Sequence, residues 1–262
     1  MSDLKGKVSI VTGSSRGIGA ATARKLAQQG CHVVINYSKS EKDAEAIANE
    51  CKLLGAEALL CKANVADDED CRRMVDSAIS KWGRIDSLVN NAGTTKFCDN
   101  ANLDGLDKDD FLNLYGVNVV GPFQMTRAAA SHLKKTGAGA IVNVASIAGI
   151  CGVGSSVAYS ASKGALITMT LSLARALGPS IRVNAVCPGF VQGEWLKEGL
   201  GEKAYEVFKT MVEDASTLGV TATPENVADA IFYFLAGAAI TTGETLIVDG
   251  GFHLNTMPLS RR

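Results

Sequence analysis

Lys7-Val8-Ser9-Ile10-Val11-Thr12-Gly13-Ser14-Ser15-Arg16-Gly17-Ile18-Gly19 is the stretch that decides how this chain folds. Its first five residues make a short apolar strand, and a helix pattern over residues 20–29, closed by Gly30, follows its last glycine. A strand, a glycine-rich turn and a helix N-terminus in that order make an anion site. Backbone N–H groups converge there, the helix dipole favours negative charge, and absent side chains let a pyrophosphate approach. The spacing is Gly-x-x-x-Gly-x-Gly, not the Gly-x-Gly-x-x-Gly of the common dinucleotide fingerprint. Set between strand and helix, it reads as a phosphate cradle rather than a plain turn.

Outward from this unit the alternation repeats. Residues 32–37 form a strand, 41–54 an amphipathic helix and 57–62 a third strand; a helix then runs from just after Asp67 to about Trp82. Strands follow at 86–89, 140–145 and 181–186, and the fifth, at 140–145, is nearly all apolar, as expected when helices cover both faces of a sheet. Long helices are predicted over 107–135 and 156–177, an irregular helical insertion over 190–223, a helix over 224–235 and a last strand over 244–248. No linker, repeat or low-complexity tract interrupts the pattern. The expected fold is α/β, a single domain over residues 1–262 built on a Rossmann-type doubly wound parallel sheet of about seven strands.

Composition agrees with this and excludes other classes. The 262 residues are 47% hydrophobic and 20% charged with net charge −1, so neither nucleic acid nor an anionic membrane surface is an expected partner. The longest strongly apolar run, residues 230–240, is too short to cross a bilayer, and residues 1–7 lead straight into a strand with no room for a signal peptide. Seven widely spaced cysteines with no C-x-x-C, and three scattered histidines, fit reduced thiols in a cytoplasmic protein better than disulfides or zinc.

Chemistry gathers at the carboxyl ends of the strands. Tyr159 and Lys163 lie one turn apart on one face of a helix. A phenol titrates near ~10, and a neighbouring ammonium favours the phenolate, which would draw Tyr159 toward neutrality and suit it to acid–base work. That spacing is common on helix surfaces and gains its weight from its company. Ser146 ends the strand at 140–145, where open α/β sheets put active sites. Asn90-Asn91-Ala92-Gly93 ends the fourth strand, where asparagines bridge sheet edges or form turns. Asn118 sits in the middle of the long helix, unfavourable unless its side chain is used. The second strand ends in Asn36-Tyr37-Ser38-Lys39, with no acid before Glu41. A carboxylate there selects NAD, whereas Ser38, Lys39 and Arg16 suit a 2′-phosphate, so NADP(H) is expected over NAD(H).

Thr12-Gly13-x-x-x-Gly17-x-Gly19, Asn90-Asn91-Ala92-Gly93, Asn118, Ser146, Tyr159-x-x-x-Lys163 and Pro188-Gly189 together resemble the short-chain dehydrogenases/reductases in order and spacing, over essentially the whole chain. Ser15-Arg16, Asn64-Val65 and the closing Val248-Asp249-Gly250-Gly251 look most like the 3-oxoacyl-[acyl-carrier-protein] reductases, which act in fatty acid biosynthesis. The resemblance implies a ketone reduced to a secondary alcohol by hydride transfer. Tyr159 would be the acid, Ser146 the hydrogen bond to the substrate oxygen, Lys163 the ligand of the nicotinamide ribose, and Asn118 the residue positioning a relay water. It implies that Gly13, Ser15, Arg16, Gly17, Ile18, Gly19, Ser38, Lys39, Asn64, Val65, Asn91, Ala92, Gly93, Pro188, Gly189 and Val191 surround the cofactor, and that the protein is a homotetramer. Relatives acting on alcohols, sugars or steroids share these motifs, and a nucleotide sensor without turnover is the reading from outside the enzymes. The chain departs from the family at Gly193, where a threonine usually touches the nicotinamide carboxamide, and Gln192 or a backbone group is the expected substitute. Residues 194–212, with Trp195, Leu196, Leu200, Tyr205 and Phe208, are either an apolar lid over the substrate or core packing.

Overall fold

The computed structural model describes residues 3–255, so the ends of the expected domain, residues 1–2 and 256–262, lie outside the described residues. Seven parallel strands form one sheet in the order β3-β2-β1-β4-β5-β6-β7. They are β1 (Val8–Val11), β2 (His32–Tyr37), β3 (Ala58–Lys62), β4 (Ser87–Asn90), β5 (Gly139–Val144), β6 (Ile181–Pro188) and β7 (Thr245–Val248). Successive side chains of a strand point to opposite faces, and the buried residues sort accordingly. Val11, Ile35, Val89, Val142 and Val186 join one apolar layer, while Ile10, Val34, Leu88, Ile141 and Val183 join the other. The first layer is covered by α1 (Gly17–Gln28), α2 (Glu41–Leu53) and α10 (Pro224–Phe232), through residues such as Leu26, Ile47 and Ile231. The second is covered by α3 (Asp68–Trp82), α5 (Gly121–Lys135) and α7 (Val157–Leu177), with Met74, Met125 and Leu133 fully buried. The strand order reverses between β1 and β4, and a doubly wound sheet opens its ligand crevice at that point.

Two elements differ from the sequence expectation in ways that matter. The first helix begins at Gly17, so the last two glycines of the cradle are its first turn rather than a loop before it. The helix expected over 107–135 is broken in its middle: α4 (Lys108–Tyr115) and α5 are joined by a π-turn, Gly116–Val120. The Gly121 N–H donates to the Gly116 carbonyl five residues back, and Pro122 has no N–H to return to the Asn118 carbonyl four residues back. Asn118 therefore occupies the wide turn. Between β5 and α7 lies one helical turn, α6 (Ala148–Cys151), and the insertion resolves into α8 (Glu194–Leu200) and α9 (Glu202–Ala215). Among the described residues no helix is long and apolar enough to cross a membrane, and no cluster of metal-ligating side chains occurs.

Candidate active site

The cradle is held in shape by side chains at or just beyond the ends of three strands. Asn36, buried at the end of β2, accepts from the Gly13 N–H at 2.9 Å and donates to the Cys61 and Ala63 carbonyls. Ser14 donates to the Val11 carbonyl at 2.7 Å and accepts from the Asn36 N–H. From the other side Asn91 donates to the Thr12 and Gly13 carbonyls at 2.9 and 3.0 Å, tying the end of β4 to the turn after β1. This packing leaves no room for side chains. A Cβ on Gly13, at φ +60°, would lie 2.9 Å from Ala92 Cα, and one on Gly19 would lie 2.4 Å from the Gly13 carbonyl oxygen. Gly17, at φ +56°, faces open space. Asp67, Asp107, Ser156 and Thr223 cap α3, α4, α7 and α10 with side-chain hydrogen bonds, but no side chain caps the N-terminus of α1. Its first-turn N–H groups and open backbone fit the pyrophosphate of a dinucleotide.

Across the crevice, α6 and α7 set the reactive side chains. Ser156 caps α7, its hydroxyl accepting from the Tyr159 N–H at 3.2 Å. α6 packs on α7 so closely that a Cβ on Gly149 would lie 2.6 Å from the Gly164 nitrogen, which fixes the turn carrying Lys163. The Tyr159 phenol faces Ser146 at the end of β5, and the Ser146 hydroxyl in turn accepts from the Ala148 N–H at 3.1 Å. Lys163 is 4% exposed and donates from Nζ to the Val144 carbonyl at 2.9 Å. A Cβ on Gly93 would lie 3.5 Å from Lys163 Nζ and 3.4 Å from Asn118 Oδ1, so the asparagine motif, the π-turn and the reactive helix meet at one point.

A sequence profile described as Enoyl-(Acyl carrier protein) reductase, one of the short-chain dehydrogenase/reductase profiles, matches residues 13–253. The chain belongs to the short-chain dehydrogenase/reductase family. It is 40% identical over 247 residues to a Streptomyces violaceoruber protein described as ketoacyl reductase 2 of the granaticin polyketide synthase, covering 94% of this chain and 96% of that one. A 3-oxoacyl-[acyl-carrier-protein] reductase of Synechocystis is 35% identical over 254 residues, 96% of this chain and 98% of its own. The solved structure of an NAD⁺-bound xylitol dehydrogenase superposes with a TM-score of 0.87 at 29% identity, covering 95% of this chain and 99% of its own. As a family member the protein is an oxidoreductase acting on CH–OH and C=O groups.

Within this short-chain dehydrogenase/reductase, burial rather than pairing sets the titration of the reactive groups. The Tyr159 phenol is pushed up to about 12 by loss of water, with the Ser146 hydrogen bond opposing the rise. The expected pull toward neutrality by Lys163 is not realised in this structure. The ammonium sits 5.7 Å from the centre of the tyrosine ring and spends its hydrogen bond on a carbonyl, so desolvation wins. The same desolvation brings Lys163 down to about 8.

The Asn118 side chain is engaged entirely within the protein. Fully buried, it accepts from the Thr94 N–H at 2.9 Å and donates to the Thr94 carbonyl and to Ser162 Oγ at 2.9 and 3.0 Å. Its side chain is thus a brace between the π-turn, the loop after β4 and α7. Sequence reasoning missed Thr94 and Ser162 because each is an ordinary polar residue until the fold brings it to Asn118. Gln192, one of the groups expected to replace the missing threonine, donates its amide to Thr221 Oγ1 at 2.9 Å.

The remaining expected cofactor residues lie at or after the carboxyl ends of β1, β2, β3 and β6. Pro188 closes β6 and Gly189 follows it, where a Cβ would lie 2.6 Å from Asp249 Cβ; Val191 bridges to Ala222. Val65 is buried against Gly121, and Asn64 accepts from the Ala66 N–H at 3.1 Å. Ser38 and Lys39 are exposed past the end of β2, and Ser15 and Ile18 flank Arg16 and Gly17 on the rim of the cradle. The apolar residues of the insertion divide between a small core and the loop after β4. Tyr205 and Val212 are buried with Phe190, and Leu196 and Leu200 pack on them as a small core. Trp195 reaches out to Phe97 of the loop after β4, ring centres 6.0 Å apart.

Proposed function

We propose that this oxidoreductase reduces a ketone to a secondary alcohol with NADPH, its substrate being a 3-oxoacyl group carried as a thioester. The observation that carries the reading is the meeting of Tyr159, Ser146 and Lys163 at the carboxyl edge of β5, beside the uncapped N-terminus of α1. Two hydroxyls facing one another suit a carbonyl oxygen on which negative charge develops, which ketone reduction needs at that atom. When bound, the nicotinamide supplies the hydride. Tyr159 donates the proton, Ser146 holds the oxygen, and Lys163 stands where it binds the ribose and supplies positive potential. Asn118 holds the π-turn against the site. The exposed Ile150, Val153 and Trp195 and the half-buried Phe97 suit an acyl chain, and the two reductase relatives act in the same direction by name.

For the cofactor, β2 delivers no free carboxylate to the ribose. Asn36 is committed to the cradle, and the first acid, Glu41, is held by the Tyr37 hydroxyl at 2.7 Å. Ser38, Lys39 and Arg16 are exposed around that corner and suit a 2′-phosphate. The NAD⁺-bound xylitol dehydrogenase favours a second reading, an NAD-dependent alcohol or polyol dehydrogenase. Consumption of NADPH against acetoacetyl thioester separates the two. The expected result is turnover at least tenfold more efficient with NADPH than with NADH; efficient turnover only of a polyol with NAD⁺ would replace the first reading by the second.

The protein is further proposed to be a cytoplasmic homotetramer. Phe111 and Leu112 on α4, Val120 in the π-turn, Phe123 on α5 and Leu171 on α7 are exposed, and α4 and the π-turn both contact α7. Large apolar surface on one side of a soluble domain is costly unless covered. Sedimentation equilibrium should return four times the chain mass, and a monomer would discard the assembly.

A further inference from the structure

α8 is tied to two other segments of the chain. Trp195 and Gly199, one helical turn apart, hold Phe97, and a Cβ on Gly199 would overlap the Phe97 ring at 1.9 Å, so only glycine lets the ring lodge there. Between them, Glu198 reaches the glycine cradle: both of its carboxylate oxygens accept from Arg16 Nη1, at 3.1 and 3.2 Å. The two residues are 182 positions apart in the chain and half-exposed. Arg16 is the residue just before α1, the guanidinium nearest the cradle by sequence, and Glu198 neutralises it.

We propose that Glu198 is a determinant of cofactor selectivity: it competes with the 2′-phosphate for Arg16, and a phosphorylated cofactor must displace it. This rests on the reading of Arg16 as a 2′-phosphate ligand. A guanidinium cannot give its fork to two anions at once, and a carboxylate left beside a bound phosphate repels it. A cofactor with a free 2′-hydroxyl offers Arg16 no better partner and leaves the ion pair in place. Glu198 thereby lowers affinity for NADPH and leaves NADH untouched, narrowing the preference that Ser38, Lys39 and Arg16 create. Because the same helix holds Phe97, the exchange of partners at Arg16 also releases one of the two ties on α8. Lys197 does not stand in for Arg16, since it is engaged by Glu194 and Glu202 on its own side.

The test is equilibrium binding of NADPH and NADH, read by the fluorescence of the bound reduced nicotinamide, in the full-length wild-type protein, Glu198→Gln, Arg16→Leu and the double variant. Both positions are exposed, so folding is not at stake. Glu198→Gln should bind NADPH about two- to fivefold more tightly, the range of an exposed ion pair, with NADH unchanged. In the Arg16→Leu background the same substitution should change NADPH binding by less than half of that. Unchanged NADPH affinity in Glu198→Gln, with Arg16→Leu still selectively weakened for NADPH, would overturn the competition while leaving the 2′-phosphate reading intact. An equal gain for NADPH and NADH would place Arg16 on the pyrophosphate and remove Glu198 from selectivity. Loss of neither cofactor's affinity in Arg16→Leu would sink the reading of Arg16 itself.

Discussion

Replacing Tyr159 by phenylalanine should lower kcat by about 10²–10⁴-fold, the range lost when a positioned acid is removed, while NADPH binds within about twofold of wild type. The ring fills the same space, and the phenol's contact is with the Ser146 hydroxyl, so the fold loses at most one hydrogen bond, about 1 kcal/mol. What it removes is the proton. With its phenol pushed up to about 12, Tyr159 is protonated throughout the neutral range, already the form that must donate in reduction. The consequence for pH follows from the direction of that shift. Reduction needs the protonated phenol together with the Lys163 ammonium, so its rate should hold from about pH 6 to 7 and fall as pH passes the lysine value of about 8, whereas oxidation of the product alcohol needs the phenolate and should rise as pH climbs toward the tyrosine value. Phenylalanine abolishes both profiles together. Steady-state rates in both directions across pH, with NADPH titrated separately, check this. A residual kcat within fivefold of wild type would mean that another group or water delivers the proton.

The architecture was almost fully legible in the sequence because its two periodicities are strong. Apolar strands of four to eight residues alternate with helices at steady spacing, and the only topology rule needed is the right-handed parallel crossover. That Tyr159, Lys163 and Ser146 come close together was legible too, since Tyr159 and Lys163 are placed by local helix geometry and Ser146 by the end of a strand. What escaped were effects that only three-dimensional packing creates. Asn118 was singled out as a misfit in a helix, but that it braces a π-turn to Thr94 and Ser162 depends on partners 24 and 44 residues away. The titration of Tyr159 went the other way from the helix-spacing argument, because spacing brings Lys163 onto the same face yet says nothing about desolvation or about the Val144 carbonyl that takes its hydrogen bond. Gln192 turned to Thr221 for the same reason: a side chain with several reachable partners is settled by whichever the fold presents.

Lys163 leads to an effect of opposite sign on activity and stability. Its amine is brought down to about 8 by burial, against an ordinary value near ~10.4. A group that binds its proton less tightly in the folded than in the unfolded protein destabilises the fold wherever both states are protonated, here below about pH 8. The stability it withholds returns as pH rises from there toward the unfolded value, where the folded amine is neutral and the unfolded one is losing its proton. The gap corresponds to about 3 kcal/mol, from which roughly 1–2 kcal/mol is subtracted because removing the amine leaves the Val144 carbonyl without that donor. Lys163→Met should therefore raise stability at pH 7 by about 1–2 kcal/mol, some 2–6 °C in Tm for a domain of this size, with the gain gone before pH 10 and reversed there to a loss of up to about 1 kcal/mol, because only the missing hydrogen bond to Val144 then counts. Its kcat/KM should fall at least about 100-fold, because the positive charge beside the developing oxyanion is gone. Thermal unfolding at pH 7 and pH 10 without nucleotide, alongside NADPH turnover, measures both halves. A variant that is less stable than wild type at pH 7 would show that Lys163 is held by interactions stronger than its desolvation. In that case the site would be part of what stabilises the fold rather than a strained position maintained for chemistry.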